Sequence, residues 1–331
     1  MKVNKVAIIG GAGFLGTRLA LILNKTGTYH RIFDIDLSRS REGEMDFLDV
    51  EDKDSLDIIS GYDCIINLAA VHRDDIRPLS RYDDVNVQGA VNVCKAAREN
   101  KINKIIFTSS VAIYGFAPSG TDESGEPNYF NDYGRTKYLA EQVYKEWYAE
   151  DPNNRTLIIV RPTVIFGEGN RGNVYNLLKQ IASRRFAMFG DGKNIKSMAY
   201  VENVAAFLKY SLSFQPGHHI YNYIDKPDFD MNTLISKARQ TLFGKNSVGF
   251  RLPASLGMVI GYFADIVASL IRRNLPVSSI RVKKFMATTQ FSSAIKESGF
   301  VPPVSLEEAL SKTIHYEFLE DNSAKPTFET E

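Results

Sequence analysis

The stretch IGGAGFLG at residues 9–16 decides the fold of this chain. An apolar run at residues 6–9 leads into it, and a helical pattern of apolar residues, 17–23, follows it. This order predicts a strand, a tight glycine turn and a helix. We assign the bend to Gly10, the close approach of a ligand pyrophosphate to Gly13, and close packing of the helix to Gly16. The helix N-terminus then presents free N–H groups to the phosphates.

A carboxylate lies where such a turn needs one. The apolar run at residues 29–33 ends in Asp34, about 20 residues after the glycine stretch. A carboxylate there accepts hydrogen bonds from an adenosine ribose and repels a 2′-phosphate, which favours NAD over NADP. Asp36 is a competing candidate for this carboxylate. The nearby Arg39 and Arg41 weaken the preference for NAD, because basic residues attract a 2′-phosphate.

The composition is that of an ordinary globular protein. The chain has 331 residues, of which 44% are hydrophobic and 24% charged, with a net charge of +1. This length predicts about two domains, and the charge argues against a nucleic-acid partner. Cys64 and Cys94 lie in apolar patterns, so we expect core thiols of a cytosolic protein, with no metal site and no disulfide. We expect no signal peptide before the first strand.

Strand and helix patterns alternate through the first half of the chain. Apolar runs at 6–9, 31–34, 64–68, 104–108 and 157–161 predict strands, and 83–99 and 136–148 predict helices. We expect an α/β fold, a Rossmann-type doubly wound parallel sheet that binds ligands at the carboxyl ends of its strands. We expect residues 1–166 to form an NAD-binding domain, to which residues 195–224 return. A smaller, mainly helical substrate domain takes 167–194 and 225–320, and 321–331 form a flexible tail.

A tyrosine and a lysine are spaced for acid–base chemistry. Tyr133 and Lys137 are four residues apart at the start of a helix, and therefore lie on one face. A neighbouring ammonium favours the phenolate, so we expect Lys137 to lower the pKa of Tyr133. Ser110 follows the strand at 104–108 and can hydrogen-bond the oxygen that Tyr133 deprotonates. The alternative is that these hydroxyls only satisfy loop backbone.

Together these motifs resemble the extended short-chain dehydrogenase/reductases, specifically the branch of NAD-dependent sugar epimerases and dehydratases. The G-x-x-G-x-x-G spacing, the run SSVAIYG at 109–115 and the Y-x-x-x-K motif carry the resemblance, which covers essentially the whole chain. It implies that Ser110, Tyr133 and Lys137 are the catalytic triad, and that a homodimer is possible. It also implies that Tyr133, Lys137 and the following residues contact NAD: Phe14, Leu15, Asp34, Asp49, Leu68, Ala69, Ala70, Asn86 and Pro162.

Two positions separate the branches of this family. Its 4,6-dehydratases carry Asp-Glu directly after the catalytic hydroxyl residue, whereas this chain has Val111 and Ala112. Dehydration is therefore disfavoured. The segments 72–75, 161–167, 171–176, 196–201 and 276–285 further resemble bacterial N-acetylglucosaminyl-diphospho-undecaprenol 4-epimerases, which interconvert GlcNAc and GalNAc on a lipid carrier for surface polysaccharide (O-antigen) synthesis.

The resemblance also implies a mechanism. Tyr133 takes the proton of the sugar 4-hydroxyl, the C4 hydride passes to NAD, the 4-keto sugar turns, and the hydride returns to its opposite face. Ser110 orients the 4-oxygen, and Lys137 holds the nicotinamide ribose. We expect Lys196, Arg281 and Lys284 to hold the diphosphate, with Asn173 as a polar contact and His72 as a further substrate residue. The alternative for each of the three basic residues is a solvated surface charge. The alternative for the loop that contains His72 is a local salt-bridge cluster.

Residues 252–271 form the most apolar stretch of the chain. It has the length of a membrane span, but Pro253, Ser255, Asp265 and Ser269 argue against one. With Arg272 and Arg273 directly after it, an interfacial helix at the inner face of the plasma membrane is the favoured interpretation. Packing on the substrate domain is the alternative.

Three other functions stay open. The sugar carrier is either undecaprenyl diphosphate or UDP, since the sequence does not separate the two kinds of epimerase. The same triad would also serve a net NAD-dependent dehydrogenase. A non-catalytic NAD-binding module is disfavoured by the intact triad.

Overall fold

The computed structural model describes residues 3–38, 45–73, 76–271 and 279–330. Its strands are β1 (Lys5–Ile9), β2 (Tyr29–Asp34), β3 (Met45–Phe47), β4 (Cys64–Asn67), β5 (Lys104–Thr108), β6 (Thr156–Pro162), β7 (Val164–Phe166), β8 (Met188–Phe189), β9 (Ile195–Lys196), β10 (Met198–Tyr200), β11 (Gly217–Tyr223), β12 (Phe229–Asp230) and β13 (Arg251–Leu252). Its α-helices are α1 (Phe14–Lys25), α2 (Ser80–Tyr82), α3 (Gly89–Glu99), α4 (Asp132–Ala149), α5 (Asn173–Ala182), α6 (Val201–Ser211), α7 (Met231–Phe243), α8 (Ala254–Ile271), α9 (Ser279–Met286) and α10 (Leu306–Ile314).

Seven strands form one parallel sheet in the order β3-β2-β1-β4-β5-β6-β11. From β1 the chain adds β2 and β3 toward one edge of the sheet. It then crosses back to place β4 on the other side of β1, and adds β5, β6 and β11 toward the opposite edge. Between β1 and β4 the carboxyl ends therefore open a crevice, which is where doubly wound sheets bind ligands. The Rossmann-type α/β prediction is confirmed.

Both faces of the sheet are buried, as the nearly continuous apolar strands predict. Side chains alternate between the faces, so Ile65 joins the core under α3 and α4 while Ile66 joins the core under α1 and α6. Cys94 lies in the first core and Cys64 in the second, and both are free thiols.

Two helices begin earlier than the sequence pattern indicates. The helix expected at 83–99 begins with α2 and continues through a π-helical segment, Asp83–Gln88, into α3. The helix expected at 136–148 begins at Asp132, because the Asn131 side chain caps it by accepting a hydrogen bond from the Gly134 N–H at 2.9 Å. Tyr133 therefore lies within the first turn of α4.

The second half packs around a third core. This core joins α5, α7 and α10 to Phe14 at the start of α1, and it includes Phe328 near the end of the chain. Strand β11 returns to the edge of the main sheet, whereas β7–β10, β8–β13 and β9–β12 form separate two-stranded pairs. The residues expected to form a flexible tail make specific contacts there, since Phe328 is only 6% exposed. The division into two domains stays a prediction.

None of the helices in the described ranges combines the length and apolar character that crossing a bilayer requires.

Candidate active site

The glycine turn leaves open space at one of its three key positions. Gly10 has φ +73°, and a Cβ there would lie 2.5 Å from the Ala69 nitrogen. A Cβ on Gly16 would lie 2.5 Å from Gly11, so this glycine permits close packing. A Cβ on Gly13 would meet only the Gly10 carbonyl oxygen, at 3.4 Å. The backbone at Gly13 is thus accessible at the start of α1, a cradle that fits the pyrophosphate of a dinucleotide.

The Asp34 carboxylate contacts this turn. One carboxylate oxygen of Asp34 accepts a hydrogen bond from the Ala12 N–H at 2.9 Å, and the other accepts one from the Asp36 N–H at 3.1 Å. The Asp36 carboxylate accepts a bond from the Ser38 N–H in its own turn. Arg39 and Arg41 lie outside the described residues. Asp49 follows β3, and its carboxylate accepts a hydrogen bond from the Glu51 N–H at 3.0 Å.

The next wall of the crevice follows β4. Leu68, Ala69 and Ala70 are half-buried there. The side chain of Asn86 binds the backbone of Val71, the residue after Ala70. Its carbonyl oxygen accepts from the Val71 N–H at 2.8 Å, and its NH₂ group donates to the Val71 carbonyl oxygen at 2.9 Å. The same NH₂ group donates to the Thr136 hydroxyl at 2.9 Å, inside the Y-x-x-x-K motif. Asn86 therefore connects this wall to α4.

Ser110 and Tyr133 meet at the carboxyl end of β5. Ser110 caps the short turn Val111–Tyr114, where its hydroxyl oxygen accepts from the Ala112 N–H at 3.1 Å. It also lies near enough to the Tyr133 phenol to stabilise the phenolate. Desolvation raises the pKa of Tyr133, and the neighbouring Ser110 hydroxyl opposes that rise. The expectation that Lys137 lowers this pKa is wrong for the protein alone, because burial outweighs the favourable contacts of the phenolate.

Lys137 is buried one turn further along α4, with 2% of its surface exposed. Its ammonium lies 4.5 Å from the centre of the Phe107 ring. Desolvation lowers the pKa of Lys137 to about 7, while the negative charge of Glu141 opposes that change. Burial thus disfavours the charged form of Lys137 in the protein alone.

A buried ion pair lies behind the triad and was missed in the sequence. Glu141, one turn after Lys137, accepts two hydrogen bonds from the Arg161 guanidinium, at 2.8 and 2.6 Å. Glu141 is fully buried and Arg161 is 4% exposed. Arg161 also donates to the Tyr114 hydroxyl at 2.6 Å and directly precedes Pro162 at the end of β6. The sequence feature that could have indicated this pair is Arg161 itself, a charged residue at the end of the apolar run at 157–161.

Ser109 is a second missed residue. It is 2% exposed, and its hydroxyl has no hydrogen-bond partner among the described residues. Because a buried unpaired hydroxyl is costly, its position beside Ser110 fits a site completed by a ligand.

The residues expected to bind substrate are only partly brought together. The His72 ring lies at the crevice, where desolvation and the charges of Lys137 and Arg73 lower its pKa. Asn173 is exposed at the first turn of α5. The Lys196 ammonium donates to the Ala287 carbonyl oxygen at 2.6 Å, and desolvation lowers its pKa to about 8. The side chains of Arg281 and Lys284 lie outside the described part of α9.

A cavity of about 780 Å³ lies between β8, β13, the start of α8 and the end of α9. Asn194, Arg251 and Met286 line it, whereas the three triad residues do not. The segment after α9 leads from this cavity to the Tyr114 ring. The Ala287 carbonyl oxygen accepts from Lys196, and the centre of the Phe291 ring lies 5.8 Å from that of the Tyr114 ring. This cavity is large enough for part of a substrate beyond the reacting sugar.

Helix α8 has an unusual distribution of side chains. Its glycines, Gly257 and Gly261, are buried, and a Cβ on Gly257 would lie 2.7 Å from the Phe189 ring. Among the side chains of α8 that the structure describes, several large apolar ones are exposed, with Val259 63% and Phe263 67% exposed. The exposed apolar surface of α8 comprises Leu256, Val259, Ile260, Tyr262 and Phe263. A helix that only packed on a domain would place such residues inward.

Comparison with known proteins agrees with this geometry. Residues 6–223 match the model of the NAD dependent epimerase/dehydratase family. The chain is 46% identical over 333 residues, 99% of both chains, to the N-acetyl-alpha-D-glucosaminyl-diphospho-ditrans,octacis-undecaprenol 4-epimerase of Escherichia coli O157:H7. The fold is similar to the UDP-glucose 4-epimerase of Thermotoga maritima in complex with UDP-glucose (TM-score 0.73, 19% identity, covering 96% of this chain and 100% of that one). It is also similar to the UDP-glucuronic acid 4-epimerase of Bacillus cereus in complex with NAD (TM-score 0.69, 19% identity, 94% and 98% covered). The chain therefore belongs to the NAD-dependent epimerase/dehydratase family.

Proposed function

We propose that this protein is a 4-epimerase that interconverts GlcNAc and GalNAc on undecaprenyl diphosphate, for surface polysaccharide synthesis, through a 4-keto sugar. The observation that carries the reaction type is the Ser110–Tyr133–Lys137 cluster with apolar neighbours. Val111 and Ala112 occupy the turn after Ser110, so no carboxylate is available there to drive loss of water. The relative that is 46% identical along the whole chain supports the choice of sugar and carrier.

The proposed chemistry uses each side chain at a stated atom. The Tyr133 phenolate accepts the proton of the sugar 4-hydroxyl and later returns it, while the Ser110 hydroxyl donates a hydrogen bond to the same oxygen. Lys137, protonated, lowers the energy of the phenolate and holds the nicotinamide ribose. Bound NAD would supply the acceptor that removes the C4 hydride and returns it to the opposite face. Gly13, Phe14, Leu15, Asp34 and Ala70 are the residues that we propose hold this cofactor.

We further propose that the exposed surface of α8 rests on the inner face of the plasma membrane. A lipid-linked sugar remains in the bilayer, so the enzyme has to reach it at the interface. The cavity beside α8 supports this arrangement, because Pro253 and Ala254 at the beginning of the helix form part of its wall. The diphosphate would then lie between the membrane surface and the triad, near Lys196.

The reaction type is tested with purified protein and GlcNAc-diphospho-undecaprenol in detergent, followed by mild acid release and chromatography of the sugar. We expect GalNAc to form without net accumulation of NADH. Tyr133→Phe should retain the fold and bound NAD but lose at least about 10²-fold in rate, as expected when a general base is removed. Stoichiometric NADH formation would instead identify a net dehydrogenase, and full activity of Tyr133→Phe would contradict the assigned role of the phenol.

A further inference from the structure

The last residues of the described chain cross the cofactor crevice. The Phe328 N–H donates to the Gly169 carbonyl oxygen, and the Arg171 N–H donates to the Phe328 carbonyl oxygen, both at 2.9 Å. These bonds pair the chain end in parallel with the loop that precedes α5. The pairing holds the segment around Phe328 beside the loop at 169–171.

Phe328 is the anchor of this segment. Its ring is buried and lies 5.5 Å from the ring of Phe14, the first residue of α1. Phe14 directly follows Gly13, at the helix end that faces the pyrophosphate in a dinucleotide-binding turn. The Phe328 ring therefore lies against the residue that directly follows the phosphate cradle.

Thr330 reaches the other side of the crevice. Its hydroxyl donates to the Asn170 side-chain oxygen at 2.6 Å, and its backbone lies beside the His72 ring. His72 follows β4, whereas Phe14 follows β1. Between Phe328 and Thr330 the chain thus spans the carboxyl ends of the two strands that flank the crevice.

We propose that residues 326–330 form a strap that retains the dinucleotide, with Phe328 and Thr330 as its positioning residues. This inference rests on the proposed function, because an epimerase regenerates its cofactor in place and gains from never releasing it. A net dehydrogenase has to exchange its cofactor in every turnover, and a strap would slow that exchange.

The test is the dissociation rate of NADH from purified protein, without any sugar. Protein loaded with NADH is mixed with excess NAD, and the loss of bound-NADH fluorescence is followed. Phe328→Ala, or a chain ending at Lys325, should release NADH at least about tenfold faster, corresponding to about 1.4 kcal/mol. Phe328→Leu keeps a large apolar side chain at this position, and its NADH dissociation rate should remain within about threefold of that of the parent. Leu319→Ala removes an exposed apolar side chain from the same region and should leave the rate unchanged.

Thr330→Val provides a milder variant that keeps the shape and removes only the hydroxyl bond to Asn170. We expect it to release NADH about threefold faster, with an unchanged melting temperature of the cofactor-free protein. Unchanged rates in folded Phe328→Ala and Thr330→Val would overturn the strap. Since no sugar takes part, the result is separate from that of the epimerisation assay: a protein that fails to epimerise can still show the strap, and an epimerase can lack it.

Discussion

The buried Glu141–Arg161 pair gives the sharpest prediction for stability. Replacing Glu141 with Gln removes the negative charge but nearly keeps the shape, and so leaves a buried guanidinium without its counterion. Arg161 is 4% exposed, and water therefore cannot replace the lost carboxylate without a structural change.

The expected loss follows from this burial. Breaking one partner of a buried ion pair lowers the free energy of unfolding by about 3–5 kcal/mol. Arg161 keeps its bonds to the Tyr114 hydroxyl at 2.6 Å and to the Glu123 carbonyl oxygen at 3.2 Å, so we expect the lower end, about 3 kcal/mol. For a chain of 331 residues each kcal/mol corresponds to about 1.5 °C, so the melting temperature should fall by about 4–5 °C.

The chain contains its own probe for this experiment. Trp147 is the single tryptophan, is fully buried, and lies on α4 with Glu141. Urea unfolding followed by Trp147 fluorescence therefore reports on the helix that is perturbed. Glu146→Gln, at an exposed position of the same helix, is the matched control and should change the free energy of unfolding by less than about 0.5 kcal/mol.

A loss below about 1 kcal/mol for Glu141→Gln would refute the reasoning, because it would mean that the pair is hydrated or loosely held. Replacing both partners, with Glu141→Leu and Arg161→Met, should recover most of the stability, since no charge then remains buried. A double variant that is less stable than the single one would show that the hydrogen bonds of Arg161, and not its charge, dominate.

Three further predictions use the same protein. Lys137→Met should remove a pH dependence of stability, because the pKa of Lys137 is about 7 in the folded protein and 10.5 in the unfolded chain, which therefore binds more protons between these values. The free energy of unfolding of the parent should thus rise by up to about 1.4 kcal/mol per pH unit from about pH 7 to about pH 10, and an equal slope in both proteins, measured by urea unfolding, would contradict the burial of the ammonium. Asp34→Asn should raise the affinity ratio of NADP to NAD by at least about tenfold, since the repulsion of a 2′-phosphate is lost, and an unchanged ratio by titration calorimetry would assign ribose recognition elsewhere. Val259→Ser combined with Phe263→Ser should abolish flotation with vesicles of anionic lipid, whereas Leu21→Ser, at an exposed position of α1, should not; vesicle binding that survives the double change would remove the proposed role of α8.

Much of the fold was predictable because its signals are local. The glycine turn, the carboxylate at Asp34 and the Y-x-x-x-K motif each lie within a few residues and have a backbone reason for their spacing. The parallel sheet followed from apolar runs that alternate with helical patterns. These features do not depend on distant parts of the chain.

Other features depend on contacts between distant segments and left no pattern to find. Phe328 meets Phe14 from the opposite end of the chain, and a short polar segment gave no sign of that anchor. The pKa of Tyr133 was predicted in the wrong direction, since spacing places Lys137 nearby but says nothing of how deeply the phenol is buried. For α8 the sequence showed an apolar helix, yet only the structure places Gly257 inward and Phe263 outward.

The central claim is the identity of the sugar carrier, and a parallel epimerisation assay tests it most directly. The same purified protein is given UDP-GlcNAc in one reaction and GlcNAc-diphospho-undecaprenol with detergent or membranes in another, and GalNAc formation is measured in both. We predict conversion of the lipid-linked sugar and none, or at least about 10²-fold less, of UDP-GlcNAc. Conversion of UDP-GlcNAc alone would contradict the account, identify a nucleotide-sugar epimerase, and leave the exposed surface of α8 without a lipid substrate to reach.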